Sequence, residues 1–386
     1  MILVTGGAGF IGSNFVRHLL EERPSLLALN LDALTYAGSE VTLADLMVNK
    51  NHIFVEGDIG DHELVAGLLR AHEPCAVVNF AAETHVDRSI NSPERFIRTN
   101  IVGTFTLLDS TLEYWRELDS ESQRRFRFVQ ISTDEVYGSA EAGCFTERSS
   151  YAPNSPYAAS KASGDHLARA YHHTYGVPTL TIHPCNNYGP YQYPEKLIPL
   201  MTLHALDGRD LPVYADGANV RDWIYVDDSC RAILEALEHG QPGECYNVGA
   251  RNQRSNLEIV RAICRQLEKL LPASQNPRLR GRGEQAYVNL IRFVEDRPGH
   301  DRRYAVDPSK IERDLGWKPL ESFESGLLKT VKWYVQNKKW CEQVRDETYW
   351  EWLKSNYSER RRVSGEGDHI SRRVRDATVP AHAGNL

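Results

Sequence analysis

The chain has 386 residues, 41% apolar and 25% charged, which excludes wholesale disorder, collagen and coiled coil and leaves one large domain or two smaller ones. Lys and Arg total 45 against 52 Asp and Glu, a net charge of −7, the wrong bulk charge for gripping nucleic acid or an anionic membrane. No apolar run approaches the ~18–20 residues that span a bilayer, and an N-terminus without a basic leader is not expected to be a signal peptide.

Met1–Thr5 is a short apolar run that ends at glycines, and apolar residues then recur at helical spacing from Phe10 to Leu20. That order is strand, glycine turn, helix. Leu26–Leu31, His52–Val55, Ala76–Phe80, Phe126–Ser132 and Thr179–His183 read as further strands. Glu63–Arg70, Phe96–Trp115 and Pro156–Tyr175 read as helices. Alternating strand and helix predict a Rossmann-type, doubly wound parallel sheet covered on both faces. After about 185 the rhythm breaks. Leu211–Tyr214, Trp223–Val226 and Tyr246–Val248 are short β-like runs, and 228–238 and 256–271 are helical. Pro272–Gln285, polar and carrying Arg278, Arg280 and Arg282, reads as a loop, and Phe323–Asn337 as an amphipathic helix.

The domains expected are therefore 1–183, binding a dinucleotide, and 184–355, a smaller mixed α/β unit with segments returning to the first. The charged stretch 356–386 is expected to be a disordered tail. Cysteines stand at 75, 144, 185, 230, 245, 264 and 341, with no C-x-x-C spacing. That pattern predicts neither disulfides nor a metal site, and free thiols suit a reducing cytoplasm.

Gly6-Gly7-Ala8-Gly9-Phe10-Ile11-Gly12 follows the first strand and opens the first helix. Glycines there permit a tight turn and close approach of a pyrophosphate, and the helix start offers N–H groups and a positive dipole end. Asp32 ends the second strand about 20 residues later, where a carboxylate accepts ribose hydroxyls and repels a 2′-phosphate. That favours NAD over NADP. As an alternative, Asp32 is a turn residue. Asp58 either caps a helix or touches adenine.

Tyr157 and Lys161 stand four apart in a helical segment, on one face. An ammonium nearby favours the phenolate of a tyrosine, only ~0.1% ionised at pH 7 when unperturbed. Tyr334 and Lys338 repeat the spacing but read as an ordinary surface pair. Thr133-Asp134-Glu135 follows a strand end, where parallel sheets bind ligands. Two adjacent carboxylates partly buried there would split into a neutral acid and an ionised base; solvated loop acids are the equal alternative. His85 lacks a second His or Cys at ligand spacing, so no metal is expected.

Taken together these motifs resemble the extended short-chain dehydrogenase/reductases. Within them, Ala81 to Ser89, Ser132 to Gly138, Tyr157 to Lys161, Asn186 to Pro199, Arg221-Asp222-Trp223 and Arg297 to Tyr304 resemble the dTDP-glucose 4,6-dehydratase family, over residues 1 to about 357. The resemblance implies a closed redox cycle. Tyr157 takes the proton of the glucosyl 4-hydroxyl during oxidation by NAD, Glu135 removes the C5 proton, Asp134 protonates the leaving 6-hydroxyl, and the reducing equivalent returns to C6. Thr133 holds the 4-oxygen, and Lys161 holds the nicotinamide ribose. The resemblance assigns Gly7, Gly9, Phe10, Ile11, Gly12, Asp32, Leu34, Thr35, Asp58, Ile59, Ala81, Ala82, Thr99, Tyr157, Lys161 and Asn187 to a tightly bound NAD. It assigns Thr84, Thr133, Asn186, Lys196, Leu197, Pro212, Tyr214, Arg221, Asn256, Arg297, His300 and Tyr304 to the nucleotide sugar. Two arginines suit a diphosphate. For Arg221 the alternative is a salt bridge to Asp222 or Asp227.

Members of the family form homodimers through paired long helices, here Phe96–Trp115 and Pro156–Tyr175. The chain departs from the family pattern at Cys185, where Ser is usual, in a short Ser139–Cys144 loop and in a long 272–285 segment. Competing assignments are a 4,6-dehydratase for a GDP-, CDP- or UDP-sugar, a 4-epimerase, which Asp134-Glu135 argues against, and a dinucleotide sensor without catalysis, which the presence of all four reactive side chains argues against.

Overall fold

The computed structural model describes residues 1–357. The tail expected at 356–386 therefore lies, from residue 358 onward, outside the described residues. The described chain divides into two compact units. The first comprises 1–193, 221–253 and 301–330; the second comprises 194–220, 254–300 and the segment from 331.

The first unit is built on strands β1 (Ile2–Thr5), β2 (Ala28–Asp32), β3 (His52–Glu56), β4 (Ala76–Asn79), β5 (Arg127–Ile131) and β6 (Thr179–Pro184). After β7 (Asn186–Tyr188), β8 (Leu211–Tyr214) and β9 (Val220–Tyr225), the chain returns to the same sheet as β10 (Cys245–Val248). The seven-stranded order is β10-β6-β5-β4-β1-β2-β3, every pairing parallel. The order reverses beside β1, between β2 and β4, and this reversal opens the crevice where such sheets take ligands.

Alternation along the strands explains why both faces are covered. Ile2, Val4, Val78, Val129 and Ile131 enter one apolar cluster, with Phe15 and Leu19 of helix α1 (Phe10–Glu22). Leu3, Val77 and Phe128 point the other way, into a cluster with Val65 and Leu69 of α2 (His62–His72) and Leu107 and Leu108 of α3 (Thr104–Glu117). Each such side chain contributes about 1.5–3 kcal/mol when fully buried. Helix α4 (Pro156–Tyr175) has the limits the sequence predicts, because its ends are chemically marked. The Ser155 side chain accepts from the Ala158 N–H, Pro156 opens the first turn, and Gly176 closes the helix at φ 83°.

Several elements differ from expectation. The predicted helix Phe96–Trp115 is not uniform: Pro93–Phe96 is α, Ile97–Gly103 winds as a π-helix, and α3 follows. The wider turns deliver Asn100 inward, where Oδ1 accepts from Glu83 N at 2.9 Å and Nδ2 donates to Glu83 O at 3.0 Å. The predicted loop 272–285 contains a 3₁₀ turn Ala273–Gln275 and a short helix Pro277–Gly281. Asn276 starts that helix by accepting from the Arg278 N–H, with Pro277 at its first position, a local signal that outweighs the polar composition. Residue Val226, expected in a strand, opens helix α5 (Val226–His239) instead.

In the second unit, β8 pairs in parallel with β12 (Ile291–Val294), after the short β11 (Gln253–Ser255). The helix Asn256–Leu270 carries a full capping box between Ser255 and Glu258. The predicted surface pair Tyr334–Lys338 is no pair. Tyr334 is fully buried, edge-on to Trp333 and Trp340, and its helix Phe323–Gln336 ends before Lys338 begins the next.

Candidate active site

The glycine turn, Asp32, Asp58, Ala81, Ala82 and the Thr133–Glu135 turn lie at or just beyond the carboxyl ends of the parallel strands. The glycine turn leaves β1 with Gly6 at φ 73°, and a Cβ there would stand 2.5 Å from the Ala81 nitrogen. A Cβ on Gly12 would stand 2.3 Å from the Gly6 carbonyl, so the helix start can sit against the turn only without one. Gly9 caps α1 with no side-chain hydrogen bond, which leaves the first-turn N–H groups, those of Phe10, Ile11 and Gly12, facing away from any cap. Gly7 lies in the same turn, packed so tightly that a Cβ would meet Asn30.

Asp32 is the buried anchor of this corner. Its Oδ2 accepts from Ala8 N and its Oδ1 from Leu34 N, both at 2.8 Å. Burial raises its pKa above the ordinary carboxylate value, and the two N–H bonds oppose that. Two lone pairs used of about four leave the carboxylate able to accept further donors. Thr35 follows Leu34 in the same loop. Asp58 is exposed, its Oδ1 accepting from Gly60 N at 2.8 Å, while Ile59 beside it is buried. Asp58 is thus at least a turn former. Ala81 and Ala82 follow β4, half-buried, and Thr99 lies in the π-helix. Asn187 donates to the Cys185 carbonyl at 2.9 Å, and its buried Oδ1 has no hydrogen-bond partner. A glycine cradle that a Cβ would fill, a bare helix start and an acid at the second strand fit a dinucleotide with free ribose hydroxyls.

A second group gathers beyond β5. Thr133, Asp134 and Glu135 enter a 3₁₀ turn, in which the Thr133 hydroxyl accepts from Glu135 N at 3.3 Å and lies 3.4 Å from Asp134 Oδ1. Asp134 is 2% exposed and its Oδ2 has no hydrogen-bond partner. Burial and then the Glu135 charge push its pKa well above the ordinary range, against the pull of Arg221. Burial thus favours its neutral form. Glu135 is half-buried, 3.5 Å from the Tyr304 hydroxyl. The adjacent acids are therefore unequal in environment, which solvated loop acids would not be.

Tyr157 and Lys161, on the face of α4 turned to this group, are both buried. Tyr157 packs edge-on to Phe96 at 6.3 Å. The sequence predicts a phenol depressed by the ammonium, but the structure pushes it the other way. Burial raises the Tyr157 pKa above its usual value, the Glu135 charge adds to that, and a hydrogen bond from Thr133 counters it. The Lys161 Nζ donates to the Ile131 carbonyl at 2.6 Å, and burial brings its own pKa down to about 8.

The Arg221 Nη2 donates to the Asp301 carbonyl at 2.9 Å and its guanidinium covers the Tyr304 ring at 4.1 Å. Asp222 is committed to the backbone, accepting from Ala250, Arg251 and Asn252. The Tyr304 hydroxyl donates to Asp301 Oδ2 at 2.6 Å, and Asn154 donates to the other oxygen of Asp301 at 2.7 Å. Asn154 and Asp301 carry no sequence motif that would have singled them out. Thr84 and Asn186 are half-buried in the same unit. His85 caps the helix Val86–Asn91 through Nδ1, accepting from Arg88 N at 3.4 Å, a structural task.

The remaining candidates lie in the second unit. Lys196 precedes and Leu197 opens the helix Leu197–Leu206; Pro212 and Tyr214 lie on β8. Tyr214 stacks on Tyr357 and stands edge-on to His300 at 6.0 Å. The His300 Nδ1 lies 2.6 Å from Asp296 Oδ1, and Arg297 N donates to that oxygen at 2.8 Å. Asn256 donates its N–H to the Asn219 carbonyl at 3.0 Å.

A Rossmann-type sheet with a glycine turn, and an acid pair beside a Tyr-x-x-x-Lys helix, define the class of nucleotide-sugar dehydratases and epimerases. The GDP-mannose 4,6 dehydratase family description matches residues 3–330. The chain is 54% identical over 348 residues to dTDP-glucose 4,6-dehydratase of Xanthomonas campestris pv. campestris, covering 90% of this chain and 96% of that one. It is 48% identical over 369 residues to dTDP-glucose 4,6-dehydratase 1 of Escherichia coli K12, covering 93% and 99%. A crystal structure of a dTDP-glucose 4,6-dehydratase from Streptomyces venezuelae, with NAD bound, matches at a TM-score of 0.79 and 46% identity, covering 89% of this chain and 99% of that one. The chain belongs to the dTDP-glucose 4,6-dehydratase family.

Proposed function

We propose that the chain dehydrates dTDP-glucose to the 4-keto-6-deoxy nucleotide sugar, with NAD retained through each turnover. The observation that carries this is the unequal acid pair, a buried Asp134 whose pKa burial raises against a half-buried Glu135, beside Thr133, Tyr157 and Lys161. An epimerase needs no second acid to expel a hydroxyl. When bound, NAD supplies the reversible oxidation at C4 that makes the C5 proton acidic and the reduction that completes C6.

The chain's own residues do the rest. Gly7, Gly9 and the first-turn N–H groups of α1 hold the pyrophosphate, and Asp32 takes the adenosine ribose. Tyr157 receives the 4-hydroxyl proton, and Thr133 fixes that oxygen. Lys161 supplies the positive charge that favours phenolate once its Nζ is drawn from the Ile131 carbonyl. Glu135 removes the C5 proton while Asp134 gives its proton to the departing 6-hydroxyl, which leaves as water. Glu135 then returns its proton to C5. The two roles demand opposite protonation states at one pH, which burial of only one partner supplies. By the family resemblance, Arg221, Tyr304, Arg297, Asn256, Lys196 and His300 are assigned to the nucleotide sugar.

The protein is further proposed to be a homodimer. Ile97, Val102 and Phe105 are 53%, 50% and 44% exposed on the π-helix and α3, an apolar strip that a second copy would cover. No helix among the described residues is long and apolar enough to cross a membrane, and seven unpaired cysteines suit a reducing cytoplasm. The deciding experiment is NMR of dTDP-glucose with purified protein in heavy water, without added NAD. A 6-deoxy-4-ketosugar carrying deuterium at C5 is expected. A spectrum unchanged even after NAD is supplied would move the assignment to other nucleotide sugars.

A further inference from the structure

Behind Thr133 and Lys161 lies a buried polar group that the mechanism above does not use. Asp165, on α4 one turn beyond Lys161, is 3% exposed. Its Oδ2 receives Ser132 Oγ at 2.6 Å and Tyr151 Oη at 3.2 Å, and stands 3.3 Å from His183 Nε2. The Tyr151 hydroxyl also lies 2.7 Å from that nitrogen. His183 is wholly buried, and its Nδ1 has no hydrogen-bond partner. An orphaned acceptor costs less than an orphaned donor, which places the ring proton on Nε2, among these oxygens. These partners converge on Oδ2, while the buried Oδ1 has no hydrogen-bond partner.

We infer that Asp165 is a positioning residue, a buried carboxylate fixed by Ser132, Tyr151 and His183 that serves as the counter-charge of Lys161. This rests on the assignment of Tyr157 and Lys161 to catalysis. The charged and titratable groups around Lys161 leave no other candidate. On its own helix stand Tyr157, one turn before, and Asp165, one turn after. Strand β5 presents the Ile131 carbonyl; the turn beyond it carries Asp134 and Glu135, which bear on Tyr157. Strand β6 presents His183, and the loop before α4 presents Tyr151. Of these, Asp165 is the group that supports the Lys161 charge against burial. Its charge also opposes formation of the Tyr157 phenolate, by a smaller effect than that of Glu135.

Removing the charge while keeping the shape therefore makes a signed prediction. In Asp165→Asn, Lys161 loses its proton at lower pH and Tyr157 ionises at lower pH, so both limbs of the kcat–pH profile move down. An opposite charge one helix turn away shifts a buried group by about one unit, so at the parent's alkaline midpoint, where the parent keeps half, the variant keeps about a tenth of its maximal rate. A merely structural role lowers the whole profile without moving it, and a D165N profile that superposes on the parent's after scaling overturns the inference. Asp165→Ser, neutral and smaller, serves if the amide variant does not fold. Lys161→Arg separates the inference from its foundation, because guanidinium does not titrate in this range. An alkaline limb that persists in K161R sinks the Lys161 assignment itself. A limb that vanishes in K161R but stays unmoved in D165N sinks the Asp165 role alone.

Discussion

Replacing Asp134 by Asn isolates the elimination step and opposes activity to stability. The side chain is 2% exposed, its Oδ2 is unpartnered, and its one hydrogen-bonded neighbour, the Thr133 hydroxyl, is 3.4 Å away. Asn keeps the volume and that weak bond but has no acidic proton to give. A general acid is worth about 10²–10⁴ in rate, or about 3–5 kcal/mol of barrier, so kcat should fall by that factor. Oxidation at C4 does not need Asp134, so reduced cofactor should build up during incubation, visible by absorbance. Stability should change in the opposite direction. A carboxyl whose folded pKa is raised binds its proton in the folded state where the unfolded chain has released it. Between the unfolded and folded pKa values that proton linkage lowers stability as pH rises, the cost of burying an acid that the unfolded chain ionises. Asn carries no such cost, so Asp134→Asn should melt at or above the parent temperature at pH 7. A kcat within tenfold of the parent, or a lowered Tm with no reduced cofactor, would refute the reasoning.

Other expectations test other parts of the molecule. Gly6→Ala forces a left-handed residue, costing about 1–2 kcal/mol before the clash with Ala81 is counted; NAD co-purifying with the protein should be lost, measured by absorbance after denaturation. Asp222→Ala strips three backbone N–H groups, at 2.6 to 3.1 Å, of their acceptor, so its loss in a chemical melt should be several times the ~1 kcal/mol of one hydrogen bond. Phe105→Glu places a charge on the exposed apolar strip, and light scattering should show the mass of a monomer where the parent shows a dimer. Lys161 holds its proton only below about pH 8, so kcat should decline above that pH, and Lys161→Met should lack that limb and most of the activity.

Much of this protein follows from local chemistry. The alternating strands, the glycine turn and Asp32 are signals carried within a few residues, since a turn or a cap needs only its neighbours. Helix α4 follows from Ser155, Pro156 and Gly176 alone. The polar composition of 272–285 predicts a loop, and a capping Asn276 nonetheless starts the helix Pro277–Gly281 within it.

Other features were settled only when distant segments met. Tyr334 and Tyr157 head the same Tyr-x-x-x-Lys spacing, yet one is sealed among tryptophans and the other stands beside Thr133. Which of two adjacent acids is neutral depends on burial, a property of the packed chain, and the sequence could say only that they would differ if buried. Packing also reversed the expected shift of Tyr157, because desolvation acts on a phenol in every direction whereas a lysine must be aimed at it. Asp165 stood one turn beyond Lys161 in plain view, but its partners Ser132, Tyr151 and His183 come from three separate segments. Spacing along one helix is local and legible; the charge state of a buried group is set by everything that surrounds it, and that exists only in three dimensions.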